Sequence, residues 1–89
     1  VVVLYSITNK EELETMNNVE LFINEHCAQF GFYLHTNKRG AHSWRNEDTD
    51  GEVIPAIVTG YNFAATNGRG EKLENFVKLS DAFAYAKTI

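Results

Sequence analysis

The sequence predicts an α+β domain: a small antiparallel sheet of about four to five strands with helices packed on one face, in the order β-α-β-β-β-β-α. Three observations carry this. Residues 17–31 show apolar side chains at helical spacing, closed by a glycine. After Gly31 the texture changes to short β-branched and aromatic runs separated by turn residues. The chain has 89 residues with 44% hydrophobic content, enough for one folded core and too short for a second, so residues 1–89 form a single domain.

Each element has its own signal. Val1–Ile7 is β-branched and short, and is too brief and too poor in flanking basic residues for a signal-peptide core, so it predicts a first strand. Thr8-Asn9-Lys10-Glu11 has the form of a capping box and starts a helix at about Asn9. Asn17-Asn18-Val19-Glu20 offers a second start of the same kind. From it Val19, Phe22, Ile23, His26, Cys27 and Phe30 fall on one helical face, and Gly31 suits the left-handed position that ends a helix. Phe32–Thr36 predicts a strand, Asn37–Gly40 a turn, and Ala41–Arg45 a second strand. Glu52–Phe63 is one extended run, whose early Pro55 places it at a sheet edge or strand start. Ala65–Gly70 is a loop. The tail is open to two readings: Leu73, Phe76 and Val77 suit a helix, while Phe76–Leu79 suits a strand feeding an N-cap. The second is favoured, a strand ending near Leu79 and then a helix over Asp81–Lys87 that buries Ala82, Phe83, Ala86 and Ile89.

Composition narrows the function. The net charge of −4 favours solubility and disfavours non-specific binding to nucleic acid. No apolar run approaches the ~20 residues of a membrane span. A single cysteine fits a reducing compartment, so a cytoplasmic location is expected.

Asn46-Glu47-Asp48-Thr49-Asp50-Gly51-Glu52-Val53 begins like a calcium loop, with oxygen ligands at alternate positions before a glycine. The twelfth position, where a bidentate Glu belongs, is Ile57, and Pro55 stands where a second helix would start. A tight acidic turn leading into a strand accounts for the same residues. Cys27 lies on the apolar stripe, where a thiol behaves as a small hydrophobe. His26, Cys27, His35 and His42 lack the paired spacing of a zinc site, although His35 and His42 could face each other across a hairpin. Gly68-Arg69-Gly70-Glu71 lacks the third glycine and the Lys-Ser/Thr of a phosphate loop. No cofactor, no metal and no catalytic residue is expected, and the chain does not read as an enzyme.

The most suggestive cluster is electrostatic. His35, Lys38, Arg39, His42, Trp44 and Arg45 fall within one short stretch free of acidic residues, and Asn46–Glu52 follows with carboxylates and no base. Trp and Arg are enriched at binding hot spots, and mixed charge sets register. The sequence therefore points to a small acidic intracellular protein-binding module, an adaptor or inhibitor of a partner protein; an accessory protein of a phage or other mobile element is one expected source, on general grounds and not from any residue. Its contact residues are Lys38, Arg39, Trp44 and Arg45, with Tyr61 and Phe63 as neighbours. If Trp44 is instead core, the charges are solubilising turn residues. Two alternatives stay open: a nucleic-acid module using hairpin 35–45, and a dimeric small-ligand protein or enzyme. The Val53–Phe63 edge would pair such a homodimer. Helix–three strands–helix over residues 18–88 resembles the order of a double-stranded-RNA-binding domain. However, Ser80-Asp81-Ala82-Phe83 lacks that family's lysine cluster, and the chain is acidic.

Overall fold

The computed structural model describes residues 16–89. The strand expected at Val1–Ile7 and the helix start expected at Asn9 lie outside them. The order is α1 (Asn18–His26), a 3₁₀ turn (Cys27–Phe30), β1 (Phe32–Thr36), β2 (His42–Asn46), β3 (Gly51–Pro55), β4 (Phe63–Asn67), β5 (Leu73–Phe76) and α2 (Leu79–Ala86). The five strands form an antiparallel meander in chain order. The α+β class with helices on one face is what the sequence predicts.

α1 starts where its cap requires. The Asn17 side chain accepts from the Glu20 amide at 2.9 Å, and Glu20 Oε1 accepts from the Asn17 amide at 3.0 Å, so two otherwise orphaned donors are satisfied. The last turn tightens to 3₁₀ and ends at Gly31 with φ 81°, a left-handed conformation that glycine adopts without a Cβ clash. Ile23 is fully buried and Cys27 nearly so, but Phe22, expected on the packed face, is 46% exposed.

The register aligns Leu34, Trp44, Val53 and Ala65 in one row across the sheet, on the face that both helices cover. Phe83 of α2 stacks on Phe30 and packs against Phe32 beside this row. The opposite face carries the row Tyr33, Arg45, Glu52, Thr66 and Leu73.

Three expectations are corrected. Glu52–Phe63 is not one strand: β3 ends at Pro55, a loop occupies 56–62, and β4 continues through Asn67 across the segment read as a loop. Nor is this run an edge. β3 and β4 are interior, Pro55 stands at the end of β3, and among the described residues the edges are β1 and β5. The helix–three strands–helix order, which the sequence already separated from the RNA-binding family by its missing lysines, is not present either, since five strands lie between the two helices. At the tail, β5 is a strand as expected, while α2 begins at Leu79 rather than Asp81, because Leu79 is buried as its first core residue. No helix among the described residues is long and apolar enough to cross a membrane.

Candidate functional site

In an antiparallel meander alternate turns share an end. The β1–β2 turn (37–41) and the β3–β4 loop (56–62) therefore lie at one end. The end of β5 and the start of α2 join them there, where the Asn62 amide donates to the Phe76 carbonyl at 3.1 Å and Asn62 Nδ2 donates to the Val77 carbonyl at 3.3 Å. The acidic β2–β3 turn and the β4–β5 turn lie at the other end.

The first end exposes apolar side chains that the pattern of a soluble surface does not explain. Ile57 is 90% exposed, Val58 51% and Val77 57%, and Tyr61 is exposed beside them. The loop that carries the first two is held at both ends, by Ala56 N to the Asn62 carbonyl at 3.1 Å and by the Asn62 bonds to β5. It therefore presents Ile57 and Val58 outward on a fixed base. At Asn62 the loop runs into an open groove of about 670 Å³ between α1 and the start of α2. Val19, Phe22 and Phe30 form one wall, Val77 and Leu79 the other, and Phe63 lies between them. Phe22 stacks on Phe63 with ring centroids 6.0 Å apart and meets His26 edge-on at 4.7 Å. Lys78 is the cation on the rim.

The sequence-predicted contact residues separate. Trp44 is a core residue with no exposure. Its Nε1 donates to Asn24 Oδ1 at 3.2 Å, which joins β2 to α1. It presents no surface to a partner, so its place as an exposed anchor is corrected. Arg45 lies on the open sheet face, 3.9 Å from Glu52 across the ladder. Lys38 and Arg39 are exposed in the β1–β2 turn and make no ion pair with a described residue. Tyr61 is exposed on the β3–β4 loop, whereas Phe63 is buried as groove floor. Phe63 thus lines the groove and Tyr61 is exposed on the loop at the same end, while Trp44 is in the core and Arg45 is on the open sheet face. Phe22, Ile57, Val58 and Val77 were missed. Their one sequence signal is the apolar pair Ile57-Val58 set directly before Thr59-Gly60, a turn dipeptide that no buried strand would need.

The remaining motifs resolve into local structure. Asn46 Oδ1 accepts from the amides of Asp48 at 2.8 Å and Thr49 at 3.1 Å, so the calcium-like run is an Asx-type turn. Gly51 is glycine because the backbone of Ala86 lies against it, where a Cβ would overlap the Ala86 carbonyl. Gly68–Gly70 belongs to the β4–β5 turn, whose Arg69 lies 3.8 Å from Asp50 and 3.2 Å from Glu71. His35 pairs with Ser43 and His42 with Thr36, so the two histidines project from opposite faces of the hairpin and do not converge. Among the described residues, no three His, Cys, Asp or Glu side chains form a metal-binding group. Burial pushes the Cys27 thiol above its ordinary pKa, and its Sγ donates to the Asn24 carbonyl at 3.3 Å.

No family model, curated protein or solved structure matches the chain.

Proposed function

We propose that the protein is a small protein-binding module, an adaptor or inhibitor that acts by contact and not by catalysis, and that it binds through its apolar end. The observation that carries this is the exposure of Ile57, Val58, Tyr61 and Val77 beside the groove over Phe63. Exposed apolar side chains scattered singly are ordinary, but here four gather at one end of the sheet, where Val77 lines an apolar groove that the 56–62 loop reaches at Asn62, and apolar exposure beside a concavity is the surface pattern of an interaction site. The loop is pinned at its base, so little ordering entropy opposes binding. The contact surface thus centres on the loop and groove, with Tyr61 kept from the sequence-based set, Phe63 as the buried floor, and the Lys38-Arg39 turn at the same end. The single cysteine, held as a buried thiol, supports action in a reducing compartment such as the cytoplasm.

Quantitative capture from a lysate of the source cells tests the proposal, with recovered nucleic acid counted beside protein. The parent chain, Ile57→Asp and Asp48→Ala, a change at the opposite end, are compared. The proposal expects a protein retained by the parent and by Asp48→Ala and lost from Ile57→Asp. Equal recovery by all three, or recovery of nucleic acid in place of protein, contradicts it.

A further inference from the structure

The groove and loop invite a statement about what occupies them, and charge decides it. The chain carries a net −4, yet the segments that build the apolar end, 36–42, 55–63 and 75–80, contain Lys38, Arg39 and Lys78 and neither Asp nor Glu. The turns at the other end, 47–50 and 68–72, hold Glu47, Asp48, Asp50 and Glu71 against Arg69 and Lys72. Arg69 is already committed to Asp50 and Glu71. Lys38, Arg39 and Lys78 make no ion pair with any described residue. Among the described residues, two carboxylates do stand toward the apolar end, one on each helix. Glu20 is turned back onto the Asn17 amide by the capping box, and Asp81 lies in the first turn of α2, where the helix dipole opposes its charge. Among the described residues the exposed turn and rim charge is therefore cationic, with Lys78 on the groove itself and Lys38 and Arg39 in the turn at the same end.

We infer that the occupant is an acidic segment of a partner protein, anchored by a bulky apolar side chain set in the groove between the exposed Phe22 and Val77 and bearing carboxylates that face Lys78 and the Lys38-Arg39 turn. This rests on the proposed binding end and adds the chemistry of what fills it. Neighbouring strands are roughly 4.8 Å apart, and the β1–β2 turn stands two strand spacings from the β3–β4 loop. The cations thus lie within about 10 Å of the apolar loop, the reach of a single short peptide. A second copy is the poorer occupant. A two-fold contact through this end sets each copy's Lys38, Arg39 and Lys78 toward the same cations of the other, without carboxylates in the turns to offset them.

The test selects a phage-displayed library of random 12-residue peptides against the whole chain. Enriched peptides are then synthesised and titrated by fluorescence polarisation. Expected winners carry an aromatic or large aliphatic residue flanked by Asp or Glu. Their affinity falls at least about tenfold in Lys78→Glu and in Ile57→Ser, falls with added salt, and is unchanged in Asp48→Ala. Every substituted position is exposed or on the groove rim, and circular dichroism melts establish that each variant is folded. Winners without acidic residues that still need Ile57 overturn the acidic occupant and leave the binding end standing. Winners indifferent to Ile57→Ser overturn both, as does a library that yields no enrichment. Vesicles of phosphatidylcholine with one-fifth phosphatidylserine and a labelled 20-nucleotide DNA are titrated in parallel. Tighter binding of either one at physiological salt, weakened by Lys78→Glu, overturns the peptide in favour of a lipid surface or nucleic acid. A symmetric dimer in sedimentation that Ile57→Ser dissociates does so in favour of a second copy.

Discussion

Trp44 links the sheet to α1 through one ring. It is fully buried between Leu34 and Val53 in its row, and its indole N–H is satisfied by Asn24. Trp44→Ala removes the largest core side chain and orphans the Asn24 oxygen, so a loss of ~3–5 kcal/mol is expected in urea melts. Ile57→Ser changes a side chain that touches little of its own chain, and the same melts should move by less than about 0.5 kcal/mol. Gly51→Ala falls at the other extreme. The Ala86 backbone occupies the space of the new methyl, and the C-terminal turn of α2 must shift to admit it, at a cost of roughly 2–3 kcal/mol. Cys27 adds a pH dependence. Its folded pKa is raised by burial, so the neutral thiol's contribution is full below the unfolded value of about 8.5 and is lost as pH rises through the folded value. Urea midpoints taken from pH 7 to 10 should fall more steeply in the parent than in Cys27→Ala.

At the scale of elements, the capping box, the stripe ending at Gly31 and the β1 strand could be read from the sequence because each is a local rule followed locally. Asn17 and Glu20 cap α1 as their spacing requires, and Phe32–Thr36 pairs over its whole predicted length. Ile23→Ala should cost ~2–5 kcal/mol, and Asn17→Ala about 1 kcal/mol, each measured by chemical denaturation. The β3–β4 boundary could not be read, and the reason bears on function. Val53-Ile54-Pro55-Ala56-Ile57-Val58 is continuous in apolar character, but Val53 enters the core, Ile54, Pro55 and Ala56 are half-buried, and Ile57 and Val58 face solvent. A local pattern broken by outward-facing apolar residues is what a contact surface produces. Trp44 was ambiguous for a different reason. Its strand, His42–Asn46, is polar apart from the indole, so alternation alone does not say which face is inward.

Across the whole molecule, the meander sorts chemistry by end. The cations of the β1–β2 turn and of Lys78 share one end with the apolar loop, and the carboxylates of the β2–β3 turn occupy the other. No linear reading of the sequence shows this, because Lys38 and Asp48 are close in the chain and lie at opposite ends of β2. The apolar end is the proposed binding surface, and a single titration decides whether it is. The partner recovered by capture is measured calorimetrically against the parent and against Ile57→Asp, with thermal melts of both. An affinity at least about tenfold weaker for the variant, with an unchanged melt, is expected if partners bind there; equal affinities with equal melts rule it out.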